Sequence, residues 1–526
     1  MTKVKNAIIL AAGMGERAVP MTYDTPKGLF NVHGAPMIER QIEQLLEKSI
    51  TEIIIVVGYL KEKFDYLIDK YGVELVYNPE FVAKNNLASV YCVKDRLDAS
   101  YLLMSDNFIE HNIFSEYEDV SWFSCPFYEE ETSEWVVSKA SALGMIEEIT
   151  IGGKNAHAIQ GPAYFSPEFS RAFKYLLEDY YFRPESRDYY WEHVLKLELD
   201  KLPPMQINDT SGVVYEFENI EELRKYDNSY MTDTNNEIMR LISRMFKVPQ
   251  GAIHTIQVIK TGMNNSSFKF SIGDKAYIFR QPGADTGNFV NRDNEKKVYE
   301  ELAGYQLTDH VVYFDGETGV KISEFLEDTH DADPYSDVEL KTCMEALRIL
   351  HNKNVQSSAA YDIENKTKHF INLAKEKNAI RFSDFDEVTE HVNELYALKE
   401  TMNADFTLCH GDYAHVNVLI LPDGSGRIID LEFCGVGDPI MDVAMYGIFA
   451  YFDHERLLLA LQYYLGRSPT KNETLRMYLY VSISAFLWVS WAEFRQANGA
   501  EFGDYTLKMY RYVKDYYTLC IKETNT

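Results

Sequence analysis

Ala7-Ile8-Ile9-Leu10-Ala11-Ala12-Gly13-Met14-Gly15-Glu16-Arg17, followed by Pro20, Thr22 and Pro26-Lys27, decides how the first part of the chain folds. The apolar run Ala7 to Leu10 reads as a buried strand, and the glycines after it break the run into a tight turn. Gly13 and Gly15 carry no Cβ and can take positive φ, so backbone N–H groups there can approach phosphate oxygens. Arg17 offers a fork to the β and γ phosphates of a nucleoside triphosphate, and Lys27 a point charge to the α-phosphate. Outward from this turn come amphipathic Met37 to Glu47, apolar Ile53 to Val57, helical Lys61 to Tyr71 and apolar Tyr101 to Met104. Such alternation predicts a mainly parallel, doubly wound, Rossmann-like α/β sheet, with ligands beyond the carboxyl ends of the strands. Leu10, Ala11 and Ala12 lie at one such end and Ser105-Asp106-Asn107 at another.

A second pattern lies far along the chain: His410-Gly411-Asp412, Asn417, Ile428-Ile429-Asp430-Leu431-Glu432, and Asp438-Pro439 with Asp442. An unactivated alcohol needs a carboxylate within reach of its proton. An Asn five positions on and an Asp at the next strand end can hold magnesium against a triphosphate. Asp412 is the expected base, Asn417 and Asp430 the expected metal ligands, and Asp442 a brace for the loop. His410 is expected to buttress the loop, because an in-line transfer already has its base. Thr255 to Ile259, Phe268 to Ile272 and Ala276 to Phe279 read as antiparallel strands, followed by helical Asn291 to Leu302 and a mostly helical remainder. That order predicts an α+β bilobal architecture, a small β-rich lobe before a larger helical one. The polar stretch between Asp227 and Glu237 reads as a linker. The expected domains are therefore 1–229 and 230–526.

The chain has 526 residues, enough for two or more cores. Its net charge of -29 is spread along the length, which disfavours an extended nucleic-acid partner. Six cysteines without CxxC spacing read as thiols of a reducing compartment, and the strand-like start leaves no room for a signal peptide. A cytoplasmic protein without membrane insertion is the expectation, and the oligomeric state stays open.

The arrangement LAAG-x-G-x-R with Pro20, Thr22 and Pro26-Lys27 resembles the nucleotidyltransferases that activate sugar phosphates and phosphocholine. Across residues 5 to 227 it is more closely similar to bacterial CTP:phosphocholine cytidylyltransferases. The resemblance implies Asp106 and Glu216 as magnesium ligands and Asn86 and Ser89 as readers of the pyrimidine. Trp135, Tyr190 and Glu192 are candidates for the quaternary ammonium group, with core or rim packing the alternative for the aromatics.

Residues 254 to 518 resemble choline kinases and, more broadly, protein-kinase-like phosphotransferases. Thr261 to Ser266, with Asn264, looks like their phosphate-covering turn, and Arg280 like the basic ATP contact that pairs with Glu295. Trp488 and Trp491, three apart on one helix face, look like walls of a trimethylammonium cage, and Glu432 like its counter-charge, with core packing the alternative for the tryptophans and support of neighbouring site residues the alternative for Glu432. Together the resemblances imply ATP-dependent phosphorylation of choline, then CTP-dependent conversion of phosphocholine to CDP-choline. Ethanolamine, another amino alcohol or a sugar phosphate keeps the same chemistry, and one domain acting only as a nucleotide sensor is the alternative of another class.

Overall fold

The computed structural model describes residues 1–259, 265–283, 290–353, 355–498, 500 and 502–524. It divides into two compact units, Met1–Val258 with Phe270–Gly273, and Ile259–Lys269 with Asp274–Thr526.

In the first unit β1 (Asn6–Ala11) is buried at every position. Ala7, Ile9 and Ala11 join Ile53, Ile55 and Val57 in one core, while Ile8 and Leu10 join Ile54, Val56 and Leu102 in another. A strand covered on both faces has no polar alternation, which is why the run is continuously apolar. Each such fully buried aliphatic side chain contributes about 1.5–3 kcal/mol. Further elements include α1 (Met37–Glu47), β2 (Ile53–Val57), β3 (Glu74–Tyr77), α2 (Asn86–Cys92), β4 (Ser100–Met104), β5 (Asn107–Ile109), β6 (Ser121–Ser124), β7 (Thr132–Ala140), β8 (Ile146–Gly153), β9 (Ala163–Phe165), α3 (Pro167–Tyr181), α4 (Trp191–Leu197), β10 (Met205–Asn208), β11 (Val214–Glu216) and α5 (Glu237–Phe246). The central sheet has the order β10-β6-β9-β4-β1-β2-β3. β1 runs parallel to β2 and β4, β2 to β3, and β6 to β10; β9 alone is antiparallel to its neighbours. The sheet is thus mainly parallel. The expected helix from Lys61 to Tyr71 is split into a 3₁₀ turn at Lys61–Phe64 and an α-helix at Tyr66–Tyr71.

The first unit runs unbroken through the stretch around Tyr230 to Val258. The polar stretch that reads as a linker is tied to this unit: His33 N–H donates to Asp227 at 2.8 Å, Tyr230 Oη to the Asn31 carbonyl at 2.6 Å, and Arg224 to the Ile253 carbonyl at 2.6 Å. Asn236 caps α5 by accepting from Met239 N–H. The turn-forming residues there serve as caps and anchors.

The second unit holds an antiparallel ladder of β12 (Lys275–Pro282), β13 (Val311–Phe314) and β14 (Lys321–Glu324), with β14 between the other two. α6 (Arg292–Leu302) follows β12 in the chain. Beyond them come α7 (Asp337–His351), α8 (Ile363–Glu376), α9 (Phe385–Lys399), β15 (Thr407–Cys409), β16 (Val418–Ile420), β17 (Gly426–Ile428), β18 (Gly435–Gly437), α10 (Ile440–Phe449), α11 (His454–Leu465), α12 (Lys471–Gln496) and α13 (Tyr505–Thr524). α12 is buried almost all round from Arg476 to Glu493, as the central helix of a helical lobe must be. Its two inward charges are paired, Arg476 with Asp438 and Glu493 with Arg381. Among the described residues no helix is long and apolar enough to cross a membrane.

Candidate active sites

In the first unit the ends of β1 and β4 lie side by side, Ser105 N–H donating to the Leu10 carbonyl at 3.0 Å. Leu10, Ala11 and Ala12 are buried, so they offer backbone alone. Of the two glycines in the turn, Gly15 takes positive φ (+61°), and a Cβ there would stand 3.0 Å from Thr22 Cγ2. Gly13 does not take positive φ, and nothing lies within 4 Å of where its Cβ would be. Its lack of a side chain leaves that side of the turn open. Gly28 is required for contact, since a Cβ would fall 2.6 Å from Ser105 Cβ. That close approach seats the neighbouring Lys27 over the end of β4, where its Nζ meets Asp106 Oδ2 at 2.7 Å.

β11 completes this site. It pairs antiparallel with β5, Glu216 opposite Asn107, which brings Glu216 beside Asp106. Burial and the Asp106 charge push Glu216 up to about 7. Burial alone would depress Lys27, but Asp106, Glu216 and Glu218 outweigh it and hold the ammonium above its ordinary value. Two adjacent half-buried carboxylates, one of them reluctant to ionise, form a donor set that fits a hard divalent cation. Arg17 is 72% exposed and paired with Glu218 at 2.7 Å. It stands on the solvent side of the same acidic group.

The expected pyrimidine readers are engaged within the protein. Asn86 Oδ1 accepts from Trp191 N–H at 2.8 Å, and buried Ser89 accepts from the Asn78 amide at 3.0 Å. Both fix α2 to its surroundings, and Ser89 is closed off from solvent. Trp135 and Tyr190 come together through a residue the sequence reading passed over, His193. Its ring lies 4.5 Å from Trp135, 4.6 Å from Tyr189 and 5.7 Å from Tyr190. His193 Nδ1 also accepts from Tyr190 N–H at 2.9 Å, a capping-box arrangement legible in the three-residue spacing at the start of α4. Burial holds His193 below its usual value, so the ring is a neutral aromatic wall. Glu192 is pushed up to about 8 by burial, and its Oε2 lacks a hydrogen-bond partner.

In the second unit the loop after β15 is fixed from behind. Asp442 accepts from His410 N–H at 2.6 Å and Gly411 N–H at 2.9 Å, and faces His351 Nε2 at 3.0 Å. His410 donates from Nε2 to the Ile429 carbonyl at 2.9 Å and accepts at Nδ1 from Asp412 N–H at 3.2 Å. A carbonyl on one nitrogen and an N–H on the other require the neutral tautomer. Among the described residues His351, Cys409 and Asp442 bring ligand-type atoms within 4.8 Å of one another. The Asp442 oxygens are already committed to the loop, which makes this trio a brace.

Asp412 is pushed well above the usual carboxylate range, first by burial and then by Asp430 and Glu432. Asn417 donates its amide to the Asp412 carbonyl at 2.9 Å, which leaves its oxygen as the atom to face a cation. Asp430 has φ +63°, a left-handed conformation that short polar side chains tolerate and that costs of order 1 kcal/mol or more. Arg280 joins Asp430 at 2.8 Å to Glu295 at 2.6 Å, so α6, β12 and the Asp430 turn converge on one guanidinium. Asp430 and the Asn417 oxygen form an all-oxygen donor pair that fits magnesium. Asn264 lies outside the described residues; its neighbour Asn265 donates to Glu432 at 3.1 Å. Glu432 is pushed up to about 7, by burial first and Asp430 next, and its hydrogen bond ties it to the Asn265 strand. The tryptophan pair is placed differently. Trp488 and Trp491 meet edge to face at 5.4 Å, Phe449 and Phe502 extend the cluster at 5.2 Å each, and Tyr505 follows Phe502 at 5.8 Å. Tyr505 is held above its ordinary value, by burial first and then by the Asp412 charge. Tyr505, at the end of the cluster, thus lies within electrostatic range of the base.

Fold and sites define a Rossmann-like nucleotidyltransferase followed by a kinase-like phosphotransferase. The MobA-like NTP transferase domain matches residues 7–159 and the phosphotransferase enzyme family residues 255–478. Choline-phosphate cytidylyltransferase of Streptococcus pneumoniae (strain ATCC BAA-255 / R6) is 36% identical over 221 residues, 42% of this chain and 96% of its own length. The chain therefore belongs to the choline-phosphate cytidylyltransferase family through its first unit. Protein LicA of Haemophilus influenzae (strain ATCC 51907 / DSM 11121 / KW20 / Rd) is 24% identical over 262 residues, 47% of this chain and 95% of its own. The crystal structure of choline kinase LicA from Streptococcus pneumoniae, 21% identical, covers 54% of this chain and 100% of its own with a TM-score of 0.47.

Proposed function

We propose that the second unit phosphorylates choline with ATP and the first converts the phosphocholine to CDP-choline with CTP, both in the cytoplasm and with magnesium. The observation that carries the reading is the aromatic cluster of Trp488, Trp491, Phe502 and Tyr505, whose Tyr505 feels the Asp412 charge. Aromatic faces suit a trimethylammonium group, which has no N–H to donate, and a base within electrostatic range of them suits the alcohol that such a group carries. The first unit's family membership then names a consumer for the product.

In the second unit Asp412 takes the hydroxyl proton while the alcohol oxygen attacks Pγ. The new O–Pγ bond forms as the bond to the β–γ bridging oxygen breaks, and the electron pair leaves on ADP. Arg280, locked by Glu295, meets the phosphates. In the first unit a phosphocholine oxygen attacks Pα of CTP, and the pair leaves on pyrophosphate. No base is needed, because a phosphomonoester is largely dianionic at neutral pH. Lys27 exchanges Asp106 for the α-phosphate, and Arg17 exchanges Glu218 for the outer phosphates. Asp106 with Glu216 in one unit, and Asn417 with Asp430 in the other, would hold magnesium, which would supply charge neutralisation at the triphosphate.

Purified protein incubated with choline, ATP, CTP and magnesium, followed by mass spectrometry, tests the whole. Phosphocholine and then CDP-choline is the expected sequence. Phosphocholine without CDP-choline rejects the first-unit assignment, and conversion of ethanolamine in place of choline rejects the head group.

A further inference from the structure

One ammonium in the second unit has no role in the steps above. Lys366, in the first turn of α8, lies 4.0 Å from the centre of the Tyr361 ring and 5.0 Å from that of Phe433. Neither ring is incidental to the site. Tyr361 Oη donates to the Gly411 carbonyl at 2.8 Å. A Cβ on Gly411, where φ is +80°, would stand 2.4 Å from the Tyr361 ring and 2.4 Å from the Phe433 carbonyl. Tyr361 is therefore wedged against the residue preceding Asp412, and Phe433 immediately follows Glu432. Lys366 thus packs on one ring bonded to the Asp412 loop and on another that follows Glu432 in the chain.

That packing leaves the charge incompletely answered. Among the described residues no carboxylate lies within 4.0 Å of Lys366 Nζ. The groups that face it are Asp412 and Cys434, with Asp362 on its own helix and Glu432 farther off. Partial burial strips some of its water and lowers it to about 8, a pull those groups do not overcome. A long, flexible side chain held on aromatic faces beside a base, without an ion-pair partner, is preorganised for an anion that arrives with substrate.

Resting on the kinase reading above, we propose that Lys366 is a catalytic residue of phosphoryl transfer, its ammonium binding an equatorial oxygen of the γ-phosphoryl group as that group passes from ADP to the alcohol. The division of labour follows from the contacts. Arg280 is pinned by Glu295 and Asp430 and stays with the nucleotide, whereas Lys366 stands on the Asp412 side, where the transferring group moves. Charge spreads over the three equatorial oxygens in the transition state, so a cation placed there acts on rate more than on nucleotide binding.

The test uses the full chain with Lys366→Met and Lys366→Arg. Three quantities are measured: kcat and KM with ATP and choline, affinity for ADP, and affinity for the non-hydrolysable β,γ-imido analogue of ATP. Lys366→Met is expected to lower kcat roughly 10²–10³-fold, as loss of one preorganised donor does. It leaves ADP affinity within twofold, which also reports an intact fold, and weakens the analogue. Lys366→Arg recovers at least tenfold of the lost rate. A kcat within threefold of wild type in Lys366→Met overturns the proposal. So does a parallel fall in ADP affinity in both variants, the mark of a purely structural cation–π prop. The ADP and analogue comparison needs no alcohol, so it decides the role of Lys366 even if wild-type protein proves inactive on choline, the result that overturns the kinase reading instead.

Discussion

The two sites solve the same electrostatic problem in opposite ways. In the first unit the proposed phosphate-binding cation is paired with a proposed metal-ligand carboxylate, Lys27 with Asp106, and on that reading nucleotide binding trades the contact away. In the second, Arg280 keeps a wholly buried partner in Glu295, and Asp412, which has no ion pair among the described residues, is the proposed proton acceptor, its proton affinity raised by burial. The contrast follows from the nucleophile. A phosphate dianion arrives already charged, so its site needs only cations and alignment. An alcohol must lose a proton, so its site has to keep one carboxylate unpaired at the cost of burying it.

Replacing the base should produce the largest effect. Asp412→Asn keeps the shape of the loop and is expected to lower phosphocholine formation about 10²–10⁴-fold while cytidylyl transfer from added phosphocholine is unchanged. Next comes the cation of the other site: Lys27→Ala should reduce cytidylyl transfer about 10²–10³-fold and leave the kinase rate intact. Each rate is measured on the same preparation with its own substrate, and a loss in both from either substitution would break the contrast between the sites.

A smaller, selective effect is expected at the cage. Trp488→Leu keeps apolar bulk and removes one aromatic face, worth about 0.5–2 kcal/mol to a desolvated cation, so KM for choline should rise roughly 3- to 30-fold. KM for ATP should hold, and the ratio of the two changes is the readout. Equal increases for both substrates would make the pair a core feature with no bearing on head-group choice.

Much of this contrast is legible in the chain because the chemistry forces residue types into short spacings. The β1 run, the Gly15 turn, and the Asp412–Asn417–Asp430 set are each local, and the backbone alone brings their members together. The unread parts depend on distance in sequence. Lys366 enters from a helix whose exposed positions carry ordinary charges, and nothing in its neighbours announces that Tyr361 will turn it toward Asp412. Ser89 reads as a base contact until Asn78, on another loop, occupies it. Asp227 and Asn236 belong to the polar residues that mark linkers, yet the same short side chains cap helices, and here they cap. Glu432 sits in a motif with Asp430, but the strand starting at Asn265 decides which way it faces.

The mildest prediction concerns Glu192 and bears on stability in place of rate. Ordinarily ionising near 4.5, it is held at about 8 in the folded unit by burial. Below pH 4.5 folded and unfolded chains both carry the proton, and the carboxyl has no effect on stability. Between there and about pH 8 the unfolded chain releases a proton that the folded one retains, so this group lowers stability as pH rises. Glu192→Gln keeps an acceptor for the surrounding donors and cannot ionise. Its melting temperature for the first unit, measured calorimetrically in chelator without nucleotide, should match wild type at pH 4.5. The gain should reach on the order of 5 °C at pH 8. A difference that is flat with pH would mean that Glu192 is solvated and charged, and it would then stand as a ready counter-ion for the head group beside Trp135, Tyr190 and His193. A widening difference means that this pocket takes its cation with a neutral acid, whereas the second unit takes its own beside a base that must ionise to work.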